Sequence, residues 1–243
     1  DVCSSDLRRP LRTAPVHARR AALAALLAQV DRLLTPSTHL PSRIGLRAQH
    51  FPYPLLRAVP PAPPAPPGAI RFLFLGSLIP TKGPDVVLEA FARLPAGAAT
   101  LRLVGPPLPY RGSSRYADAL RARAAAIPGV TLTAPWSPTE VGERLADHDV
   151  LLFPSTWEEN SPFVLHEAAA AGLRVVASDI PGSSAVLGER GARVAPGDVE
   201  AWRRALASEV RLGRRREPPR MFEDIDTHAA RLVELYRGLR ESG

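Results

Sequence analysis

Ile70-Arg71-Phe72-Leu73-Phe74-Leu75-Gly76-Ser77-Leu78-Ile79-Pro80-Thr81-Lys82-Gly83-Pro84-Asp85 decides the fold. Its apolar start reads as a buried strand, Gly76-Ser77 as the break at the strand's carboxyl end, and Gly83-Pro84-Asp85 as the entry to a helix. The pattern then recurs. Apolar strands are expected at about 70–76, 100–105, 129–134, 149–154, 174–178 and 192–195. Helical stretches alternate with them at about 84–94, 114–126, 138–146, 162–172, 182–188 and 198–213. Strands and helices alternating at these lengths predict an α/β fold, a Rossmann-like parallel sheet flanked by helices and joined by right-handed crossovers. Ligands of such sheets sit outside the carboxyl ends of the strands. The polar punctuation falls there, at Gly76-Ser77, Gly105, Trp136-Ser137, Pro154 to Ser161 and Ser178 to Ser184, so five loops should converge on one face.

The chemistry-bearing residues lie on that face. Glu159 and Glu167 are eight residues apart, around the turn Asn160-Ser161-Pro162-Phe163. Pro162 suits the first helical position and Ser161 the N-cap, which leaves the amides of Phe163 and Val164 pointing outward. Unpaired amides at the positive end of a helix dipole make a phosphate site. A carboxylate two turns along the helix could take a ribose diol, so the combination suggests a nucleoside diphosphate with something attached. Lys82 can offer a point charge to that diphosphate, with Gly83 letting the backbone come close. Taken alone, Lys82 reads as a surface lysine beside a turn glycine, and the motif is not a Walker sequence. No Asp-x-Asp or clustered His/Asp pattern with ligand spacing appears, and Asp147-His148-Asp149 reads as a helix-to-strand turn, so no metal is expected. His166 reads as a partly buried packing residue, His17, His39, His50, His148 and His228 as structural or surface groups, and Trp157 either as a cover over the bound nucleoside diphosphate compound or, at least as often at a strand end, as a lid for the core.

Composition sets the bounds. With 243 residues, 45% of them hydrophobic, the chain can bury one large core or one domain plus part of another. No run of 18 or more apolar residues is present. The net charge of +7 and pI near 10.6 invite a nucleic-acid reading. The arginines, however, are spread along helices with no basic stripe carrying stacking aromatics, so no nucleic acid is expected. Arg214-Arg215-Arg216 reads as a solvated charge run, and leaves open peripheral contact with anionic lipid at the inner face of the membrane. Residues 1–7 have no periodicity, match no targeting pattern and read as a non-native scar. They hold the single cysteine, Cys3, and a cysteine-free remainder fits a reducing, cytoplasmic compartment. A helix at 17–30, a strand at 32–35 and a weak helix at 38–46 cannot close a core, so 8–54 reads as the remnant of a larger domain. The prolines from 52 to 68 predict an extended connector, with the boundary at 55–69. The Rossmann-like α/β unit is then 70–215, and 216–243 carries a last amphipathic helix at about 222–241.

Taken together, Phe-Leu-Gly-Ser-Leu-Ile-Pro-Thr-Lys-Gly, Leu-Arg-Leu-Val-Gly, Ala-Asp-His-Asp-Val-Leu-Leu-Phe-Pro-Ser, Glu-Asn-Ser-Pro-Phe-Val-Leu-His-Glu-Ala and Val-Val-Ala-Ser-Asp make residues 70–210 resemble the donor-binding domain of retaining glycosyltransferases of family 4. Those enzymes have the two-domain GT-B fold. Residues 17–54 resemble the end of the partner domain, so the chain would be the C-terminal half of a GT-B fold with its N-terminal domain truncated.

The resemblance implies a hexosyl transfer from a UDP- or GDP-linked sugar to a glycan, lipid-linked or small-molecule acceptor held by the absent domain, with little catalysis by this piece alone. It also implies that Lys82 binds the donor diphosphate, that the amides near Phe163 and Val164 hold its distal phosphate, and that Glu167 takes the ribose hydroxyls. Glu159 would contact the transferred sugar; Gly76, Ser77, Asn160 and Ser161 would line the donor site; and Gly105 and Ala134 to Trp136 would border the base. Lys82 and Glu159 are the expected catalytic pair. The family often has arginine where this chain has Ser77, which shifts diphosphate stabilisation onto Lys82 and the helix mouth. The last helix would return to the absent domain and here expose an apolar stripe. Two alternatives stand beside this reading: a GT-B nucleotide-sugar epimerase or phosphorylase, which needs acid/base groups of its own, and a non-catalytic nucleotide- or nucleic-acid-binding α/β module, which rests on pI alone.

Overall fold

A computed structural model describes residues 13–64 and 67–241. The N-terminal piece holds α1 (Thr13–Leu27), β1 (Leu34–Thr35), α2 (Leu40–Ile44) and β2 (Gln49–His50). β1 and β2 form a small parallel pair. From residue 70 the order is β3 (Ile70–Leu75), α3 (Pro84–Phe91), β4 (Ala99–Val104), α4 (Arg115–Ala125), β5 (Val130–Thr133), α5 (Val141–Leu145), β6 (Val150–Phe153), α6 (Phe163–Ala171), β7 (Arg174–Ser178), α7 (Pro181–Leu187), β8 (Ala192–Val194), α8 (Val199–Leu212) and α9 (Ile225–Glu241).

The six long-range strands pair in the order β5-β4-β3-β6-β7-β8, all parallel. The chain runs outward from β3 through β4 to β5, then returns to the other side of β3 with β6. Side chains alternate between two apolar layers, as the two-residue period of a strand requires. Phe72, Phe74, Leu101, Leu103, Val150 and Leu152 meet Val87, Leu88 and Phe91 of α3 and Trp202 and Leu206 of α8. Leu73, Leu151, Phe153, Val175 and Ala177 meet Val141 and Leu145 of α5, Leu165, Ala168 and Ala171 of α6, and Val186 and Leu187 of α7. Each fully buried aliphatic or aromatic side chain here removes roughly 1.5–3 kcal/mol of apolar exposure.

Two expectations about the edges of this domain change. The proline-rich stretch is a strap laid along the domain, not a free spacer. Ala62 N–H donates to Ala171 C=O (3.0 Å), Leu55 N–H to Glu223 C=O (2.8 Å), and Val59 and Ala62 pack on the second apolar layer. The arginine run is likewise bound into the fold. Arg214 Nε donates to the fully buried Asp149 (3.0 Å), beside Arg71, whose backbone N–H and side chain bind the same carboxylate. Burial opposes the Asp149 charge, but the hydrogen bonds from Arg71, its charge and the hydrogen bond from Arg214 outweigh it and hold the carboxyl below its ordinary range. Arg216 donates to the carbonyls of Ala146 and His148. Only Arg215 of the three remains exposed. A sequence of three cations does not reveal that an Asp149 stands ready to receive one of them.

α9 has no buried residue, and Val233 and Tyr236 are exposed. The expected scar, residues 1–7, lies outside the described residues.

Candidate active site

β3 and β6 are neighbours at the point where strand order reverses, and the loops leaving their carboxyl ends form the site. The β3 loop passes Gly76 and ends in a short 3-10 turn, Pro80–Lys82. The β6 loop runs from Pro154 to Ser161. Thr156 N–H and Ser155 Oγ both donate to Thr81 C=O, at 2.9 and 3.1 Å, and lash the loops together. The lashing brings Lys82 Nζ against Glu159 Oε1 in an ion pair, to which the buried Ser155 adds a hydrogen bond of 3.0 Å.

Lys82 and Glu159 line a cavity of about 350 Å³ together with Gly76, Asn160, Ser161, Phe163 and Val164. Pro162 occupies the N-cap of α6 in an extended conformation, and helical structure begins at Phe163. This corrects the reading of Ser161 as the cap. The Ser161 hydroxyl is engaged instead with Nε2 of His166 at 3.0 Å, one turn along α6. Leu165 N–H donates to Pro162 C=O, while the N–H groups of Phe163 and Val164 find no acceptor among the described residues. Asn160 Oδ1 is buried without a hydrogen-bond partner among them. The cavity therefore offers a cation, two amides and an amide oxygen.

His166 is buried, tilts against Phe222 at 4.8 Å, and has its pKa pushed down to about 4 by burial and then by the charge of Arg220. It is a packing residue, as its position on the helix suggested. Trp157 is 64% exposed and covers nothing in the core, contrary to its reading as a lid. Glu158 pairs with Arg43 (2.7 Å).

Glu167 does not line this cavity. It is buried on the side of α6 facing the proline-rich strap, where Arg57 Nε meets its Oε1 at 2.9 Å and Arg57 Nη1 donates to Pro138 C=O at 2.9 Å. Burial raises the Glu167 carboxyl above its ordinary range, with the charge of Arg57 acting the other way. Gly105 is held at φ 157°, and a Cβ there would stand 1.8 Å from Gly76 C=O, so it is the close contact between the β3 and β4 loops. Ser77 does not line the cavity. Ala134 and Trp136 are also not brought to it. They line a separate recess with Arg102, Glu140 and Arg144, because the Trp136 ring lies against buried His148 (5.7 Å) and under the Arg144 guanidinium (5.6 Å).

Four further residues shape the site without an obvious local signal. Tyr53 stacks on Phe163 at 4.8 Å. Ser155 and Arg57 hold the two glutamates. Gly182, at the start of α7, approaches the Glu159 backbone so closely that a Cβ would stand 2.0 Å from its carbonyl oxygen.

A family model described as glycosyl transferases group 1 matches residues 69–210. D-inositol 3-phosphate glycosyltransferases from Rhodococcus erythropolis and Rhodococcus opacus are 32% and 34% identical over 188 and 181 residues, covering 70% and 68% of this chain. The chain spans 42% and 40% of the length of those relatives. Among solved structures, sucrose-phosphate synthase from Thermosynechococcus elongatus superposes with a TM-score of 0.76 at 20% identity, over 99% of this chain and 65% of that one. Anabaena HepE in complex with UDP and glucose superposes with a TM-score of 0.70 at 18% identity, over 92% and 69%. The fold is therefore that of a GT-B glycosyltransferase half, and the chain belongs to the glycosyl transferases group 1 family.

Proposed function

We propose that this chain is the donor-binding part of a glycosyltransferase that moves a hexosyl group from a nucleoside diphosphate sugar to an acceptor hydroxyl. The observation that carries the reading is the Lys82–Glu159 pair at the strand-order reversal, beside the two unpaired amides of α6. In transfer, the bond from the anomeric carbon to the distal phosphate oxygen breaks, the acceptor oxygen bonds to that carbon, and the acceptor's proton passes to the departing phosphate. Negative charge grows on the departing diphosphate and positive charge on the sugar. Lys82 and the amides of Phe163 and Val164 meet the first, each well-placed donor contributing roughly 3–4 kcal/mol in comparable oxyanion sites. Glu159 meets the second and orients the sugar hydroxyls.

The nucleoside lies along α6, where Glu167 takes the ribose diol once Arg57 has turned away. UDP is the favoured donor nucleotide, because HepE was solved with UDP and glucose. The rest of the reading is drawn from the family: transfer with retained configuration, no metal in the charge-stabilising step, and an acceptor bound by a second domain. Among the described residues no helix is long and apolar enough to cross a membrane. A cytoplasmic enzyme fits the cysteine-free body of the chain.

Calorimetry with UDP and GDP tests the reading. Saturable heat that falls at least tenfold in affinity in Lys82→Ala and in Glu167→Ala supports it; identical titrations for all three proteins refute it.

A further inference from the structure

A second cavity, of about 330 Å³, opens at the amino ends of β7 and β8, the end of the sheet opposite the donor cleft. Arg174, Arg190, Glu209, Arg215, Glu217 and Arg220 supply its charged lining, four guanidiniums against two carboxylates. Arg174 is only 4% exposed. Its Nη2 donates to Gly213 C=O at 2.8 Å, but Nη1 has no partner among the described residues, and Nε, although 3.0 Å from Glu209 Oε2, is not aligned to hydrogen-bond with it. A buried guanidinium with unmet N–H groups is costly, and Arg174 is one of the residues that line this cavity. Arg215 is the member of the arginine run not bound into the fold, since Arg214 and Arg216 are committed to Asp149 and to main-chain carbonyls. Arg190, which also donates to Pro218 C=O, stands on the α7 side.

We propose that this cavity is a binding site for a phosphate group, held between Arg174, Arg190 and Arg215. A phosphate dianion supplies several acceptor oxygens and matches the fork of a guanidinium. It also balances the excess of two positive charges in the lining. The cavity exceeds the size of a bare phosphate, so the same chemistry serves free phosphate or the phosphomonoester of a small sugar. Because the two sites lie at opposite ends of the sheet, a ligand here does not exclude donor from the cleft.

Calorimetry on the full chain with inorganic phosphate and with glucose 6-phosphate, at saturating UDP, tests the assignment. Arg190→Ala and Arg215→Ala are the variants, since both residues are exposed and their loss leaves the buried Arg174–Glu209 pair intact. Saturable binding weakened about tenfold by each variant, and unchanged by Lys82→Ala, is expected. Tighter binding of the sugar phosphate identifies an ester as the ligand; equal binding identifies free phosphate. No saturable heat from either probe overturns the proposal, as does binding that both arginine variants retain in full or that Lys82→Ala abolishes. If UDP does not bind, the same titrations are run without it, so this assignment stands or falls separately from the donor reading.

Discussion

Replacing Arg57 with alanine should tighten UDP binding. Arg57 Nε is 2.9 Å from Glu167 Oε1, with the carboxylate side chain 7% and the guanidinium 29% exposed. At an effective dielectric of about 20, unit charges about 4 Å apart interact by about 4 kcal/mol, an upper bound before desolvation. A hydrogen bond to a charged group contributes about 1.5–3 kcal/mol net. With Arg57 partly solvent-screened, about 2 kcal/mol is a reasonable value for what ribose must displace. Removing the guanidinium lifts that competition, so the UDP dissociation constant should fall about thirtyfold, while folding stability drops by a similar energy because Glu167 is left buried and unpaired. Calorimetry at pH 8 measures the first effect and urea denaturation the second. The gain should vanish with 2′,3′-dideoxy-UDP, which has no diol to offer Glu167. Weaker UDP binding in Arg57→Ala, or an equal gain with the dideoxy nucleotide, refutes the assignment of Glu167 to ribose and of Arg57 as its competitor.

Glu159→Gln should separate binding from chemistry: Lys82 is freed for the diphosphate, so UDP affinity rises several-fold, whereas transfer in the complete enzyme falls at least a hundredfold, readable in a coupled UDP-release assay. Gly182→Ala places a methyl group 2.0 Å from Glu159 C=O; it should displace Glu159 and cut transfer more than tenfold while UDP affinity changes less than threefold. Acid should destabilise the domain through two buried histidines. His148 and His166 are each held near pKa 4 in the fold, by burial above all, against 6.5 when exposed. The unfolded chain binds more protons between those values, so their contribution to stability is present above 6.5 and is lost as pH falls through 4, at up to about 1.4 kcal/mol per histidine per pH unit. Glu167 and Glu209, with raised carboxyls, act oppositely above their ordinary range. Comparing urea melts from pH 7 to 4.5 with those of a His148→Phe/His166→Phe variant isolates the histidine contribution; parallel curves would count against buried neutral imidazoles.

The sheet was legible because each strand from Ile70 onward is a short apolar run closed by Gly, Pro or Ser, and each helix between carries its own apolar face. Predicted strands match β3 to β8 within about two residues, and predicted helices differ mainly at frayed ends, as with α5, which keeps only Val141–Leu145 of the expected 138–146. The meeting of Lys82 with Glu159 followed from both standing at carboxyl ends of strands, which a parallel sheet puts on one edge. Partner choice across long sequence distance was not legible. Nothing local tells Ser161 to bind His166 instead of capping α6, Trp136 to lie under Arg144 instead of facing the cleft, or Arg57 to reach Glu167 from a proline-rich stretch. Each is decided by what the fold places opposite the side chain, and the short strand β2 was missed for the same reason, since its two residues are ordered only by pairing with β1.

A crystal structure of the chain grown with UDP gives the most direct test. The account predicts the distal phosphate within hydrogen-bonding distance of Lys82 Nζ and of the Phe163 and Val164 amides, with the ribose hydroxyls on Glu167 and Arg57 swung aside. A nucleotide seated elsewhere, with Lys82 still closed on Glu159 and Arg57 still on Glu167, would contradict it.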